Sequence, residues 1–596
     1  MDFFASQDLA HRKTKWLIAY FALAVVGIIL TLHVLAALAF KESLTDWRLL
    51  GMVSLGVVIV VALGAAYRIA ELSQGGRVVA EMLGGRQIAP HTTDLKEQQL
   101  RNVVEEMALA SGVPVPDIYV LDEEAAINAF AAGNTPGDAV VAVTRGTLDQ
   151  LTRDELQGVV GHEFSHILNG DMRLNQRLIG VLTGILLLAI LGEIVFRMGA
   201  WGGGAVRTSD RDNKNSAVPL SLIGAALWLV GSIGVFFAKL IKAAVSRQRE
   251  FLADASAVQF TRNPDGIAGA LWKIGQAGSR LQTARASEAS HLFFGNGLRE
   301  SFMGLFATHP PIEARIQAID PGFDPAKTSR AAPPPLPREE KPSPRIPGLA
   351  AAGVALAAIP EFARAEARET AGATALIYAL LLSDDEATRA RQLAALSVSP
   401  EERAEITRDI ARRGEIGDAI AVMDLSLPAL RQLSQAQYAT FRENVRQLIA
   451  CDGKVDLFEF VLHKALVRHV DHFFTKSRGP AVRYRSLDPL RADVATVLSA
   501  IAWQAGDDAA ARDAAFQAGA NGLGQMTRSD GCDFAALDTA LERIACADNA
   551  TKRRVLTACS QTVRHDGVVR PREAALLRAI SDVLACPQLD PENVVA

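Results

Sequence analysis

The chain has 596 residues, a net charge of −4 at pH 7 and a pI near 6.3. That length excludes a single compact core, and the charge excludes a global basic field of the kind that gathers nucleic acid. All five cysteines (Cys451, Cys532, Cys546, Cys559, Cys586) lie in the last 146 residues, at spacings that form neither a C-x-x-C metal pair nor an even disulfide framework. They read as reduced thiols of a cytosolic C-terminal half.

In chain order, Trp16 to Phe40 is a run of 25 residues without a charged side chain, and Leu49 to Tyr67 is one of 19. Each is long enough to cross a hydrocarbon core as a helix, so residues 1–67 are expected to form a transmembrane hairpin. The first run is taken as a retained anchor, because no small-residue cleavage site precedes the loop from Lys41 to Arg48. Arg12, Lys13 and Lys15 before the hairpin and Arg68 and Arg77 after it place the N-terminus and residues 68–177 in the cytoplasm.

Residues Thr152 to Asn169 read TRDELQGVVGHEFSHILN, with Thr152 as N-cap and Glu155 three residues on, which predicts a helix opened by a capping box. His162 and His166 are four apart, share a face of that helix, and can reach one zinc ion together. Glu163, beside His162, is placed to take the proton of a water that the metal acidifies. The competing reading is a helix with two exposed or hydrogen-bonded histidines. Val159, Val160, Phe164, Ile167 and Leu168 make the surroundings apolar, which suits a buried site better.

Two apolar runs follow, at about 178–196 and 217–238. The first, Leu178 to Leu191, closes on Gly192 and Glu193; the second holds no charge over 22 residues. Arg197, Arg207, Arg211 and Lys214 between them oppose the positive-inside scheme, leaving open two full spans or a re-entrant or interfacial pair. Just beyond lies the expected third protein ligand. Glu250 and Asp254 are one helical turn apart, Glu250 to ligate and Asp254 to hold the second nitrogen of a ligand histidine.

Over residues 10–320 these motifs resemble the M48 family of membrane metallopeptidases, with HtpX-like order. The resemblance rests on Asn128-Ala129-Phe130-Ala131-Ala132-Gly133, Val160-Gly161-His162-Glu163-Phe164-Ser165-His166, Arg249-Glu250-Phe251-Leu252-Ala253-Asp254 and Thr308-His309-Pro310-Pro311 with Glu313 and Arg315. It implies one zinc ion per chain on His162, His166 and Glu250, and Glu163 as general base. It also implies an edge strand at Asn128, Ala129 and Phe130 on which extended substrate docks, and His309 as a donor to the oxyanion. A histidine that merely ends a helix before Pro310 and Pro311 is the alternative for His309. Asn169 and Asp171 are expected to end or brace the helix, with no catalytic role.

Nine prolines between Pro321 and Pro347 predict an extended linker over 321–349. Residues 350–596, rich in Ala, Leu, Arg and Glu, are expected to be all-α. Asp452-Gly453 and Asp566-Gly567 each precede a Glu seven residues after the Asp (Glu459, Glu573), an arrangement that resembles TerB-like domains. Tight Asp-Gly turns account for these acids better than a metal does, and a docking module for partners is favoured.

The expected fold is therefore mainly α: an integral-membrane zincin-type metallopeptidase with a small edge β-sheet, peptidase domain 68–320, and an all-α C-terminal domain. The expected function is zinc-dependent hydrolysis of misfolded or membrane-protein segments, with protein or peptide substrates, lipid contact and no nucleic acid. The expected location is the bacterial inner membrane with the site facing the cytoplasm. The rivals are a non-catalytic scaffold recruiting partners through the C-terminal helices, or a narrow CaaX-type processing protease.

Overall fold

The computed structural model describes residues 3–40, 43–72, 75–202, 205–207, 217–277, 294, 309–324, 353, 356–416, 418–451, 457–474, 482–504, 508–531, 533–567 and 571–584. The chain divides into two compact units. One comprises Met1–Gln87, Ile118–Thr135 and Ala139–Arg338; the other comprises Ile88–Asp117, Pro136–Asp138 and Glu339–Ala596.

The first unit contains helices α1 (Phe3–Phe40), α2 (Trp47–Leu72) and α3 (Gly76–Met82), and the chain then gives α4 (Leu95–Ser111) to the second unit. It resumes with α5 (Arg145–Gln150), α6 (Arg153–Leu168), α7 (Asp171–Gly202), α8 (Leu220–Thr261), α9 (Pro264–Ala277) and α10 (Ile312–Ile319). Four of these helices are long and apolar enough to cross a membrane, over Ala19–Phe40, Trp47–Ala70, Leu182–Gly202 and Leu220–Phe237. Only 17% of the second is buried inside the protein, and Leu55 and Leu63 stand exposed on it, as a lipid-facing surface requires.

The third apolar run differs from its sequence reading. Helix α7 continues through Gly192 and Glu193 to Gly202, and Arg197 pairs with Glu193 one turn away, so the carboxylate does not end the helix. The fourth begins later, at Leu220. Ala217–Pro219 instead form a short strand against Ala205–Arg207, and Pro219, which has no N–H to give, stands at the helix N-cap.

Glycines set how closely these helices approach. A Cβ at Gly192 would stand 2.2 Å from the Trp228 nitrogen, and one at Gly224 would stand 2.1 Å from that of Phe196. Backbone therefore meets backbone between α7 and α8, the packing that small residues permit in a bilayer. Gly192→Val is expected to force the pair apart and cost about 1–3 kcal/mol. Gly27→Val, where a Cβ meets nothing within 4 Å, should leave thermal unfolding in detergent unchanged. Equal melting of the two variants would sink the close-packing account.

The sheet has the strand order β1-β2-β4-β3, with β1 (Arg86–Gln87), β2 (Asp117–Leu121), β3 (Ala129–Ala132) and β4 (Val140–Thr144). β3 runs antiparallel to β4, pairing Ala129 with Val143 and Ala132 with Val140, and its other edge carries no strand among the described residues. Phe130 and Ala132 pack with Val79 and Ala80 of α3 and with Leu83 at its C-cap. By the two-residue alternation, Ala129 and Ala131 turn toward the opposite face, where α6 lies.

The second unit is helical, with a core that includes Leu376, Ile377, Leu427, Phe441, Leu448 and Leu462. Arg368 binds Glu105 of α4 through two nitrogens at 2.8 and 2.6 Å, tying that helix to the C-terminal ones. Residues 452–456, with the first Asp-Gly turn, lie outside the described residues, as do Cys532, Cys586 and the linker beyond 324. Gly567 of the second turn takes a left-handed φ of 77°, and Glu573 is fully buried. Cys451, Cys546 and Cys559 are free thiols.

Candidate metal centre

Helix α6 begins as its sequence demands. Thr152 accepts from the Glu155 amide while the Glu155 carboxylate accepts from the Thr152 amide at 2.7 Å, completing the capping box. Gly158 on its flank admits α9, since a Cβ there would lie 2.6 Å from the Ile267 nitrogen. The helix is thereby held with His162 and Glu163 buried to 0% and 1% exposure.

His162 Nε2 and His166 Nε2 lie 3.1 Å apart. Across from them α8 brings Glu250, with one oxygen 3.6 Å from His162 Nε2 and the other 3.7 Å from His166 Nε2. A tetrahedral ion with bonds of about 2.1 Å separates its ligand atoms by about 3.4 Å, so the three donors already stand at metal-binding separations. The three residues form one candidate metal-holding group. Both oxygens of Glu163 and Nε2 of His309 lack hydrogen-bond partners among the described residues, as expected of groups that face an ion and a substrate.

Each histidine is oriented from behind. His162 Nδ1 meets Asp254 at 2.9 Å, and His166 Nδ1 meets Asp171 at 2.8 Å, so both rings turn Nε2 inward. Each carboxylate in turn holds an arginine. Arg315 reaches Asp254 through two nitrogens, at 2.6 and 2.8 Å, and Arg249 pairs with Asp171. Arg315 also lies 3.3 Å from Glu250, and its carbonyl partner is Phe294 at 3.1 Å. His309 Nδ1 approaches Glu250 to 2.8 Å but is out of line for a hydrogen bond, so the contact is electrostatic.

The charges follow. Burial opposes the His162 imidazolium, yet Asp254 and Glu250 outweigh it and hold the group at about 9. Burial, with the His162 charge next, pushes His166 down to about 4. Burial pushes Glu163 up against the pull of both histidines. The Ala131 amide lowers it slightly, while neither Glu163 oxygen has a hydrogen-bond partner among the described residues. Glu250 stays well below the carboxylate range: burial opposes this, and His309, His162 and Arg315 prevail.

The structure thus brings together His162, Glu163, His166, Glu250, Asp254 and His309. Asn128 precedes strand β3 and gives its carbonyl to Thr144, Ala129 and Phe130 open the strand, and α6 with Glu163 packs against it. Sequence reasoning missed Asp171, read there only as a brace, and gave Arg249 and Arg315 no role. An Asp opening the helix after the His-bearing one was the only available signal for Asp171; nothing in spacing marks either arginine.

Spanning helices that extend into a buried His–His–Glu cluster, with a small open-edged sheet beside it, define a membrane zinc metallopeptidase. Residues 94–321 match the family model described as Peptidase family M48. A protease HtpX homolog of Streptococcus uberis is 39% identical over 266 residues, covering 44% of this chain and 85% of that protein. One from Ligilactobacillus salivarius is 38% identical over 295 residues, covering 49% and 95%. The chain belongs to peptidase family M48, among the HtpX homologues. The crystal structure of S. mikatae Ste24p is similar with a TM-score of 0.30 and 16% identity, over 53% of this chain and 67% of that one, too slight a likeness to bear on the fold. These matches support the M48 resemblance over part of the chain and lend none to the TerB-like resemblance of the C-terminal half.

Proposed function

We propose that this chain is a zinc endopeptidase that cleaves misfolded or exposed segments of membrane proteins at the cytoplasmic face of a bacterial inner membrane. The observation that carries the reading is the convergence of three ligand atoms at zinc separations beside Glu163 and an open strand edge.

In this reading His162, His166 and Glu250 hold one zinc ion, which when bound supplies a Lewis acid for the scissile carbonyl and the attacking water. Asp254 and Asp171 fix the histidine tautomers. Glu163, raised toward neutrality by burial, takes the proton of the water and delivers it to the leaving amine. His309 donates to the oxyanion, and Asn128, Ala129 and Phe130 carry the strand along which extended substrate lies. Main-chain docking reads backbone rather than side chains, which suits unfolded clients. The C-terminal helices are assigned to partner or client docking.

The test is casein degradation by the detergent-purified full chain. Activity should track one zinc per chain, vanish with chelator and return with zinc; cleavage unaffected by complete metal removal would overturn the reading.

Zinc uptake itself should depend on pH. His162 must give up its Nε2 proton to ligate, whereas His166 is already neutral, so each ion bound between pH about 4 and about 9 should release one proton. Affinity should therefore fall about tenfold per unit as pH is lowered through that window. In the metal-free protein the sign is opposite: the raised His162 stabilises the fold fully below its unfolded value and loses that contribution as pH rises through about 9. Calorimetry in two buffers of different ionisation heat counts the proton, and a count of zero would contradict the assignment.

A further inference from the structure

We propose that Phe294 is an internal occupant of the substrate groove: its main chain takes a hydrogen-bonding position on the open edge of β3, and its ring fills the buried aromatic seat between His162 and Arg315 that a substrate side chain enters. The proposal rests on the peptidase reading and goes beyond it by naming what substrate must displace and which substrate residue fits.

The backbone of β3 alternates in direction. Asn128 gives its carbonyl to the Thr144 amide on the β4 side, so Ala129 and Ala131 present theirs to the open edge. The next open-edge group is the Ala131 amide, and α6, which carries Glu163, packs against β3. The Ala129 carbonyl, however, is already taken: it accepts from the Phe294 amide at 2.8 Å. The Phe294 carbonyl in turn accepts from Arg315 at 3.1 Å.

The ring is 1% exposed. It stands edge-on to His162 with centroids 4.7 Å apart, and the Arg315 guanidinium lies 4.8 Å from its centre. The seat therefore offers an acceptor, a donor, an imidazole edge and a guanidinium face beside a candidate metal ligand. Those are the needs of one residue of an extended peptide with an aromatic side chain. Phe294 and such a residue cannot both be bound. The substrate class that follows is unfolded, extended chain carrying an aromatic residue at this position, the kind exposed when an apolar segment loses its packing.

The test uses zinc-loaded full-length protein in detergent and a blocked hexapeptide of the chain's own sequence from His291 to Asn296. Phe294→Ala is expected to lower KM for a quenched Phe-containing peptide about tenfold with kcat little changed, as when an occupant closes nine-tenths of the molecules. The hexapeptide should bind Phe294→Ala/Glu163→Gln about tenfold more tightly than Glu163→Gln alone. Phe294→Leu, which keeps the packing volume, should shift both values less in the same direction, and it decides the matter if the alanine variant does not fold. A residue that merely walls the site would instead lower kcat with KM unchanged or raised when truncated, and equal hexapeptide binding would overturn the proposal. If the hexapeptide discriminates yet no form of the protein cleaves, groove occupancy stands and the hydrolase reading falls. If the wild type cleaves and the hexapeptide does not discriminate, the reverse holds.

Discussion

Glu163→Gln should abolish casein cleavage, by about a thousandfold or more in kcat, while the protein still binds one zinc per chain. The two side chains are nearly isosteric, and the Glu163 oxygens have no hydrogen-bond partner among the described residues, so the amide replaces no native contact. It removes the carboxylate proposed as the base without touching the three candidate donors. Because burial raises Glu163, a carboxylate there is closer in proton affinity to the water it serves than an exposed one would be; an amide has no such affinity at all. Zinc retained with cleavage lost separates a proton-transfer role from a ligand role. Zinc lost with cleavage would make Glu163 a ligand, and full activity in the variant would move the base elsewhere.

Arg315→Met should be the most destabilising single change in the first unit, by about 3–5 kcal/mol, because it leaves buried carboxylates without their counter-charge. Arg315 is 1% exposed and reaches both Asp254 and Glu250. Burial opposes the ionised form of Asp254, and Arg315 is the largest of the influences that nevertheless hold its carboxyl low. A depressed carboxylate contributes stability above its unfolded value and loses it as pH falls through its folded one. The deficit of the variant should thus be greatest near neutral pH and shrink below pH about 4, where the unfolded chain protonates too. Arg315→Lys should recover only part, since one ammonium cannot reproduce the guanidinium fork on Asp254. Urea unfolding of the zinc-free protein at pH 7 and pH 4 checks this, and a deficit independent of pH would contradict it.

The candidate donors could be grouped from sequence because helical periodicity is local: four residues put His162 and His166 on one face, and Glu250 and Asp254 repeat that spacing one motif later. The spans were legible because a bilayer demands uninterrupted apolar length. What could not be read were contacts between segments distant in sequence. Asp171 meets His166 only because Gly170, at φ 67°, turns the chain between α6 and α7. Arg315 reaches Asp254 over 61 residues, and Phe294 reaches Ala129 across a turn of fold that no period encodes. The apolar run that closes on Gly192 and Glu193 lies inside a helix that continues to Gly202, with Arg197 pairing Glu193 one turn away. The start of the fourth span falls at Leu220 because Pro219 holds the preceding Val218 in extended backbone, which hydropathy does not register.

The three donors do not share a foundation. Two ride on α6, which passes within three residues into the membrane helix α7; the third rides on α8, 13 residues or about 20 Å beyond the end of its own apolar stretch at Phe237. Sliding α8 along its axis by a single residue rise, about 1.5 Å, displaces Glu250 by most of a zinc–oxygen bond length. The spacing of the three candidate donors is therefore set by the axial register of two membrane helices, which the backbone contacts at Gly192 and Gly224 hold.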